Sequence, residues 1–465
     1  MDDALHKTID RFTIGGEVLV APTTEVLTED SDAHEETAPS QNREAYHDIQ
    51  VRVGTLLKTE TVSFLLGAGA SVCCGGQLIG SVPLAVERTL HNEGIKGTER
   101  PRVARWLTVF YLAVESVGDG NTHSATRSGI LERWEALRAA DADPIHANFE
   151  KILAVVYRWR AALPETGGRL RVDGLPSLDA TAEDLDACLL HASRALARTC
   201  DLPTLERVDG LATFKTFVRK LLTRPLNLKR VNVFTLNYDT LVEQASDAEG
   251  VVLLDGFVGT QRRLFRPESY EQDLYFPAET TEGRVHRFDR VLHLYKLHGS
   301  ITWTAHESTF DNPYGVQSAT YEPDGRQPLL IYPTPAKFGE TLGTPYSDLF
   351  RRFAGALARP QSVLFVIGYG FGDEHVNAII RQALAIPSFT IVIVDPAPQN
   401  DFVTKLRAQH DRRVWIAEGS TLGTFTGFVN AILPDLRDEE IQKQVIATHR
   451  ALANTQVQGD GPNGD

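Results

Sequence analysis

Cysteine, methionine and long apolar runs are all scarce in this sequence. Only four of its 465 residues are cysteines: Cys73 and Cys74 are adjacent, and Cys188 and Cys200 lie far along the chain. This spacing contains no Cys-x-x-Cys pair and predicts no disulfide framework. No run approaches the ~18–20 apolar residues of a membrane span, and the start, Met1–Ala4, has no basic or apolar stretch typical of a signal peptide. We therefore expect a cytoplasmic protein without a membrane segment.

Positive charge is scarce as well. The chain has 47 Lys and Arg against 61 Asp and Glu, which gives a formal charge of -14. A chain this acidic is repelled by phosphate backbones, so we expect no direct binding of nucleic acid.

The composition predicts one large domain between two polar ends. Residues 1–45 are polar and acidic and are predicted to be a loosely held extension, although Phe12–Ile14 and Val18–Val20 form a short alternating apolar piece. Residues 46–435 form the main domain. Residues 436–465 are predicted to hold a C-terminal helix and a disordered tail, because the last residues have no apolar side chain to bury.

Short β-rich runs alternate with helical patterns in the main domain, which is typical of an α/β fold. We predict a Rossmann-like parallel sheet of about six or seven strands, covered on both faces because most runs are continuously apolar. The predicted strands are 62–66, 231–234, 291–295, 329–332, 363–367 and 390–394, with 414–416 as an edge strand. Residues 81–229 instead show helical periodicity, for example in Val103–Leu112, and are predicted to be an inserted helical subdomain.

Four polar or glycine-rich segments follow predicted strands. They are Gly67–Ser71, Thr235–Asp239, Leu297–Ser300 and Gly368–Asp373. Ligands of α/β sheets bind beyond the carboxyl ends of the strands, so these segments are expected to surround one crevice.

In this order the four segments resemble the sirtuin family, and more closely its bacterial sirtuin-like branch than the protein deacetylases. The resemblance covers roughly Thr61 to Ala417. It implies that residues 46–435 are a sirtuin-like catalytic domain with NAD⁺ as its substrate. It also implies cofactor contacts from the glycine turns and their neighbours: Gly67, Ala68, Gly69, Ser71, Thr235, Gly368, Tyr369 and Gly370.

The first glycine segment has a ligand-free alternative. Glycines at 67 and 69 let backbone N–H groups approach a pyrophosphate, but the same residues also suit a tight turn between strand and helix. The segment is no complete Gly-x-Gly-x-x-Gly fingerprint, since Val72 stands at the third glycine position. Residues 72–83 also lack the arginine that sirtuin deacetylases carry after this loop.

Three residues are the predicted catalytic groups. His298 matches the sirtuin histidine that acts on the cofactor ribose, although a histidine at a strand end is more often a packed core residue. Asn237 can orient water and the ribose hydroxyls, because its amide both donates and accepts hydrogen bonds. Asp239 either contacts the nicotinamide end of the cofactor or caps the helix that begins near Thr240.

The late glycine turn departs from the sirtuin pattern at Gly370, where sirtuins usually have serine or threonine. Asp373 is predicted to cap the following helix, with a ligand role as the alternative. Asp395 closes a strand and can accept hydrogen bonds from the adenosine ribose, as acidic residues do in other doubly wound folds. His375 has no metal-ligand cluster near it in the sequence, and we expect no metal.

The resemblance implies an NAD⁺ glycohydrolase that releases nicotinamide and ADP-ribose and depletes NAD⁺ in anti-phage defence. Sirtuin deacetylases typically carry a four-cysteine zinc ribbon, which the cysteines of this chain cannot form. That difference and the helical insertion argue against a peptide-deacylase groove. The enzymatic alternatives are an NAD⁺-dependent deacylase or an ADP-ribosyltransferase. A non-catalytic sensor of NAD⁺ or ADP-ribose is a third alternative. Free hydrolysis of NAD⁺ would harm the host, so a homo-oligomer or an activating partner such as a HerA-like ATPase is expected to control it.

Overall fold

The central element is a nine-stranded sheet that is mainly parallel. The computed structural model describes residues 10–20, 38–78, 80–97, 99–117, 125–139, 142, 145, 149–163, 169–170, 180–202, 208–277, 285–323, 325, 328–330, 343, 345–438 and 441–448. In spatial order the sheet contains β2 (Glu17–Val20), β1 (Arg11–Ile14), β20 (Val414–Glu418), β19 (Thr390–Val394), β18 (Ser362–Ile367), β3 (Thr61–Leu66), β8 (Asn232–Thr235), β14 (Val291–Lys296) and β9 (Val252–Leu254). The strands from β20 to β9 pair in parallel.

The helices connect these strands and cover both faces of the sheet. They are α1 (Ala38–Leu56), α2 (Ala68–Ser71), α3 (Val82–Gly94), α4 (Arg105–Val117), α5 (Arg127–Arg138), α6 (Phe149–Ala162), α7 (Ala182–Cys200), α8 (Val208–Leu221), α9 (Leu241–Ala248), α10 (Tyr346–Leu357), α11 (Glu374–Leu384), α12 (Asp401–Ala408) and α13 (Phe425–Gly427). α1, α8 and α9 pack on one face, and α10, α11 and α12 pack on the other. The Rossmann-like α/β prediction is confirmed.

Burial on both faces explains the continuous apolar runs of the central strands. Every residue of β3 and of β18 is buried. Phe64 and Phe365 stack on each other across these two strands, with ring centroids 4.7 Å apart, and both side chains are fully buried. Such doubly covered parallel strands are rich in valine, isoleucine, leucine and phenylalanine because both sides must be apolar.

One predicted strand of the parallel sheet lies elsewhere. Pro328–Leu330 is β17, at the edge of a second, five-stranded antiparallel sheet in the order β10 (Phe257–Val258), β11 (Arg263–Phe265), β16 (Val316–Ser318), β15 (Gly299–Ala305) and β17. The prediction was wrong here because a short apolar run fits an antiparallel edge as well as a parallel core. The parallel edge strand that the sequence did not reveal is β9, with Val252 exposed.

The N-terminal residues differ from the predicted loose extension. β1 pairs antiparallel with β2 and with β20, so residues 11–20 form an edge hairpin of the main sheet. Phe12 is fully buried and packs against Trp415 with ring centroids 6.2 Å apart. The alternating apolar piece is therefore half-covered strand, which is the usual meaning of a period of two.

A helical subdomain follows β3, as predicted. α3, α4, α6 and α7 share a separate apolar core, whereas α8 packs on the sheet through Phe214 and Phe217. The separate core thus ends with α7, before the predicted boundary at residue 229. The other strands of the described residues form three two-stranded ribbons: β4 (Ile95–Lys96) with β5 (Arg102–Val103), β6 (Arg169–Leu170) with β7 (Ala180–Thr181), and β12 (Tyr275–Pro277) with β13 (Val285–Arg287).

Residues 441–448 are helical, and the predicted disordered tail lies outside the described residues. In the part of the chain that the structure describes, no helix combines the length and the apolar character that a membrane span requires.

The stacked phenylalanines of the sheet provide a test of the fold. Replacing Phe64 by alanine should lower the free energy of unfolding by about 3–5 kcal/mol, because a fully buried ring is lost from close packing. The matched control is Phe310→Ala, since that side chain is fully exposed; its effect should stay within about 0.5 kcal/mol. Chemical denaturation measures both values, and equal effects would contradict the packing described for Phe64.

Candidate functional site

A cavity of about 390 Å³ lies at the carboxyl ends of β3, β8 and β18, beneath the helical subdomain. Its polar side is formed by the glycine turn Gly67–Ser71, by Asn237 and Asp239, by His298, and by the late turn Gly368–Asp373. Its apolar side includes Val82, Phe149, Leu196 and Leu202. All four predicted loops therefore reach one cavity, whose volume is within the range of about 300–1,000 Å³ usual for ligand sites.

The two glycine turns pack backbone against backbone. A Cβ atom on Gly69 would stand 2.7 Å from Cα of Gly368, and one on Gly67 would stand 2.5 Å from the carbonyl oxygen of Gly368. The N–H of Gly69 donates to that same carbonyl at 2.9 Å, so it is already engaged. Gly368 itself has a φ of 63°, in the left-handed region that favours glycine. The glycines thus serve close packing of the two turns in addition to any phosphate contact.

Asn237 ties the glycine turn to the loop after β8. Its Nδ2 donates to the carbonyl oxygen of Gly67 and to Oγ of Ser71, both at 2.9 Å. These two bonds engage the N–H groups of the amide. Among the described residues, its Oδ1 has no hydrogen-bond partner. The side chain therefore offers an acceptor to the cavity, instead of the donor and acceptor that the sequence suggested.

Asp239 caps the helix that follows it, which is one of the two roles that the sequence left open, and its cofactor contact stays a prediction. Its Oδ1 accepts from the N–H of Leu241 at 3.1 Å, which caps the start of α9. Its Oδ2 accepts from the hydroxyl of Ser71 at 2.6 Å. Asn237, Ser71 and Asp239 therefore form one connected hydrogen-bond chain along the wall of the cavity.

A buried lysine supports this loop from below, and the sequence analysis did not identify it. Nζ of Lys296 donates to the backbone carbonyl of Asp239 and, at 2.8 Å, to Oε1 of Glu243. Lys296 is only 3% exposed. Burial raises the pKa of Glu243, and the ammonium of Lys296 opposes that rise. The only sequence signal was a charged residue at the end of an apolar strand, where a buried charge needs a partner.

His298 lies where the chain passes from the main sheet into the second sheet. Gly299 follows with a φ of 90°, and a Cβ atom there would stand 2.3 Å from the carbonyl oxygen of Leu329. Only glycine fits such a turn, which explains the His-Gly pair. His298 is 7% exposed and faces the cavity, whereas His293 is outside the cavity lining. Burial lowers the pKa of His293 to about 4, so it is neutral at physiological pH.

The late turn is braced by its own side chains. The hydroxyl of Tyr369 accepts from the N–H of Asp373 at 3.0 Å and lies 3.1 Å from Oδ1 of Asn377. Nδ2 of Asn377 donates to the carbonyl of Phe371, a residue with a φ of 53°. Tyr369 thus contacts the rest of the turn through its hydroxyl, and the turn has a fixed shape before any ligand binds.

Two predicted contact residues lie apart from the cavity lining. Oγ1 of Thr235 accepts from the N–H of Asn237 at 3.0 Å, so this buried residue supports the loop from behind. Oδ1 of Asp395 accepts from the N–H of Ala397 at 2.8 Å, and burial raises the pKa of Asp395. Their cofactor contacts stay predictions.

The described residues include no group of three or more His, Cys, Asp and Glu side chains arranged to hold a metal ion. Cys200 lines the cavity, but burial raises its pKa to about 12. It is therefore a neutral thiol at physiological pH and a poor nucleophile.

The backbone contact between the glycine turns predicts that alanine is tolerated less well at Gly69 than at Gly370. Gly69→Ala should destabilise the protein by about 1–3 kcal/mol, because the new Cβ meets backbone that cannot rotate away. Gly370→Ala is the control, since a Cβ there meets nothing within 4 Å. Thermal unfolding of both variants checks this, and a Gly69→Ala protein as stable as the control would refute the close approach.

Comparison with known proteins finds a family model that matches part of the chain. Residues 231–419 match the family model of the SIR2-like domain. The matched range begins at β8 and ends just past β20, so it contains three of the four loops around the cavity, and the glycine turn at 67–71 precedes it. No curated protein was found to match the sequence. Over these residues the chain is similar to the SIR2-like domain.

Proposed function

We propose that the protein is an NAD⁺ glycohydrolase that cleaves the bond between nicotinamide and ribose. A SIR2-like domain is consistent with an NAD-utilising enzyme. The observation that carries the proposal is the convergence of Asn237 and His298 on one cavity beside the glycine turn Gly67–Ser71. Together they offer an acceptor, an acid–base group and a place for the diphosphate.

The proposed reaction requires one side chain that orients water and one that accepts a proton. The bond from the nicotinamide nitrogen to the anomeric carbon breaks, and its electron pair leaves with neutral nicotinamide. The oxocarbenium-like ribose is then attacked by the oxygen of a water molecule, which gives ADP-ribose and releases one proton. In this proposal Oδ1 of Asn237 orients the water, and His298 accepts the proton and passes it to solvent.

Water is favoured over acyl-lysine as the acceptor. The four cysteines are free, and they are spread over the turn after the glycine loop and over α7, away from any common metal site. The zinc ribbon of the sirtuin deacetylases therefore has no counterpart here. The helical subdomain also supplies Phe149 and Leu196 to the cavity wall. An apolar wall restricts the entry of a peptide while it leaves room for water.

The proposal extends to biological role and control. By the family resemblance, hydrolysis would deplete NAD⁺ in a cell infected by phage. Such an activity must be silent until it is needed, so we propose that a homo-oligomer or an activating protein, such as a HerA-like ATPase, switches it on. This part rests on analogy with the family alone.

Product analysis separates the hydrolase from its rivals. The purified chain, at concentrations that favour an oligomer and with the candidate activating protein supplied, is incubated with NAD⁺, with and without an acetyl-lysine peptide, and nicotinamide and ADP-ribose are quantified. Equal amounts of both products without peptide are expected. Turnover only with the peptide would instead identify a deacylase, and labelled protein would identify an ADP-ribosyltransferase. Calorimetric binding of ADP-ribose without turnover would identify a sensor.

Two substitutions test the assigned residues. Asn237→Ala and His298→Ala should each slow NAD⁺ loss by about 10²–10⁴-fold, because each removes a positioned polar or acid–base group. Asn430→Ala and His286→Ala are the matched controls, since both side chains are exposed and outside the cavity lining. Initial rates and thermal unfolding are measured together. Normal rates in either cavity variant would overturn the assignment.

A further inference from the structure

His298 lies against a carboxylate that the chain brings from a distant segment. Nε2 of His298 is 3.2 Å from Oδ2 of Asp373, and the side chains are 8% and 7% exposed. The contact has ion-pair distance, although its angle falls short of a directed hydrogen bond. Hydrogen bonds of catalytic groups are commonly loose before a ligand binds.

The two oxygens of Asp373 have different tasks. Oδ1 accepts from the N–H groups of His375 and Val376, at 2.9 and 3.4 Å, and thereby caps α11. Oδ2 is the oxygen that faces His298. A cap requires a single acceptor atom, which serine or asparagine supplies equally well. Capping therefore explains one oxygen of Asp373 and leaves the contact with the imidazole unexplained.

The position of this carboxylate is set by the turn before it. The N–H of Asp373 donates to the hydroxyl of Tyr369, and the buried side chain of Asn377 holds the carbonyl of Phe371. Phe371 in turn stacks on Phe402, with ring centroids 5.1 Å apart. The ring of Phe350 lies beside His298 at 6.2 Å. The imidazole is thus enclosed between an aromatic ring and a fixed carboxylate.

We infer that Asp373 is a positioning residue that orients the imidazole of His298 and stabilises its protonated form during the reaction. The inference rests on the proposed function, in which His298 accepts the proton released when water attacks the anomeric carbon. On this inference the neutral ring carries its proton on Nε2, the nitrogen beside Asp373, so its lone pair is on Nδ1 and the incoming proton enters there. The carboxylate balances the charge of the imidazolium until the proton passes to solvent. Asp373 acts through the histidine and forms no bond to the substrate.

Asp373→Asn distinguishes this role from capping. Asparagine keeps the shape and the cap of α11 but removes the negative charge. We expect kcat to fall by about 10²-fold or more, as for other histidines that lose their orienting carboxylate, while KM and the melting temperature stay at the control values. The matched control is Asp10→Asn, because one oxygen of Asp10 accepts from the N–H groups of Thr421 and Leu422 and no histidine is involved. An unchanged kcat would overturn the inference.

A second readout does not depend on activity. In the wild-type protein labelled with ¹⁵N-histidine, the resonance of His298, assigned from its loss in His298→Gln, should show the proton on Nε2. Asp373→Asn and Asp373→Ser, which both retain a capping acceptor, should shift this tautomer equilibrium. If the protein proves not to hydrolyse NAD⁺, this spectrum still tests the pair. A wild-type proton on Nδ1, or an identical spectrum in the variants, would refute it.

Discussion

The hydrogen bonds from Asn237 to Gly67 and Ser71 are the contacts on which the cavity depends. They join the loop after β8 to the turn after β3, and Asp239 extends the connection to the start of α9. The same glycine turn is held on its other side by direct backbone contact with Gly368. Three strand ends are thereby fixed to one another before a ligand arrives, which lowers the ordering cost of binding.

An ion pair supports a loop of the cavity from below, and apolar side chains line the cavity above. Below it, the buried ammonium of Lys296 pairs with the partly exposed carboxylate of Glu243 under the loop of Asp239. Removal of Glu243 would leave the buried charge of Lys296 without its partner, so the pair fixes the geometry of the loop more than it stabilises the fold. Above it, the helical subdomain provides apolar side chains. The polar side chains that are proposed to act on the ribose therefore line the same cavity as apolar side chains of the helical subdomain.

The central strands and the cluster of four loops could be predicted from the sequence, because continuous apolar runs and glycine turns report local geometry. The sequence did not show which sheet each strand joins. The run at 328–330 joins the second sheet, and residues 11–20 join the edge of the first. The sequence also did not reveal side-chain contacts between segments that lie far apart along the chain. Nothing near Asp373 in the sequence points to His298, and nothing near Lys296 points to Glu243, since tertiary folding alone brings these side chains together.

The central claim is that this cavity holds NAD⁺ with its ribose at Asn237 and His298. A crystal structure of the full chain with ADP-ribose tests it most directly. The diphosphate should lie along the Gly67–Gly69 turn, and the anomeric carbon should lie within reach of Oδ1 of Asn237 and the imidazole of His298. A nucleotide bound elsewhere on the protein, or one whose ribose points away from both side chains, would contradict the account.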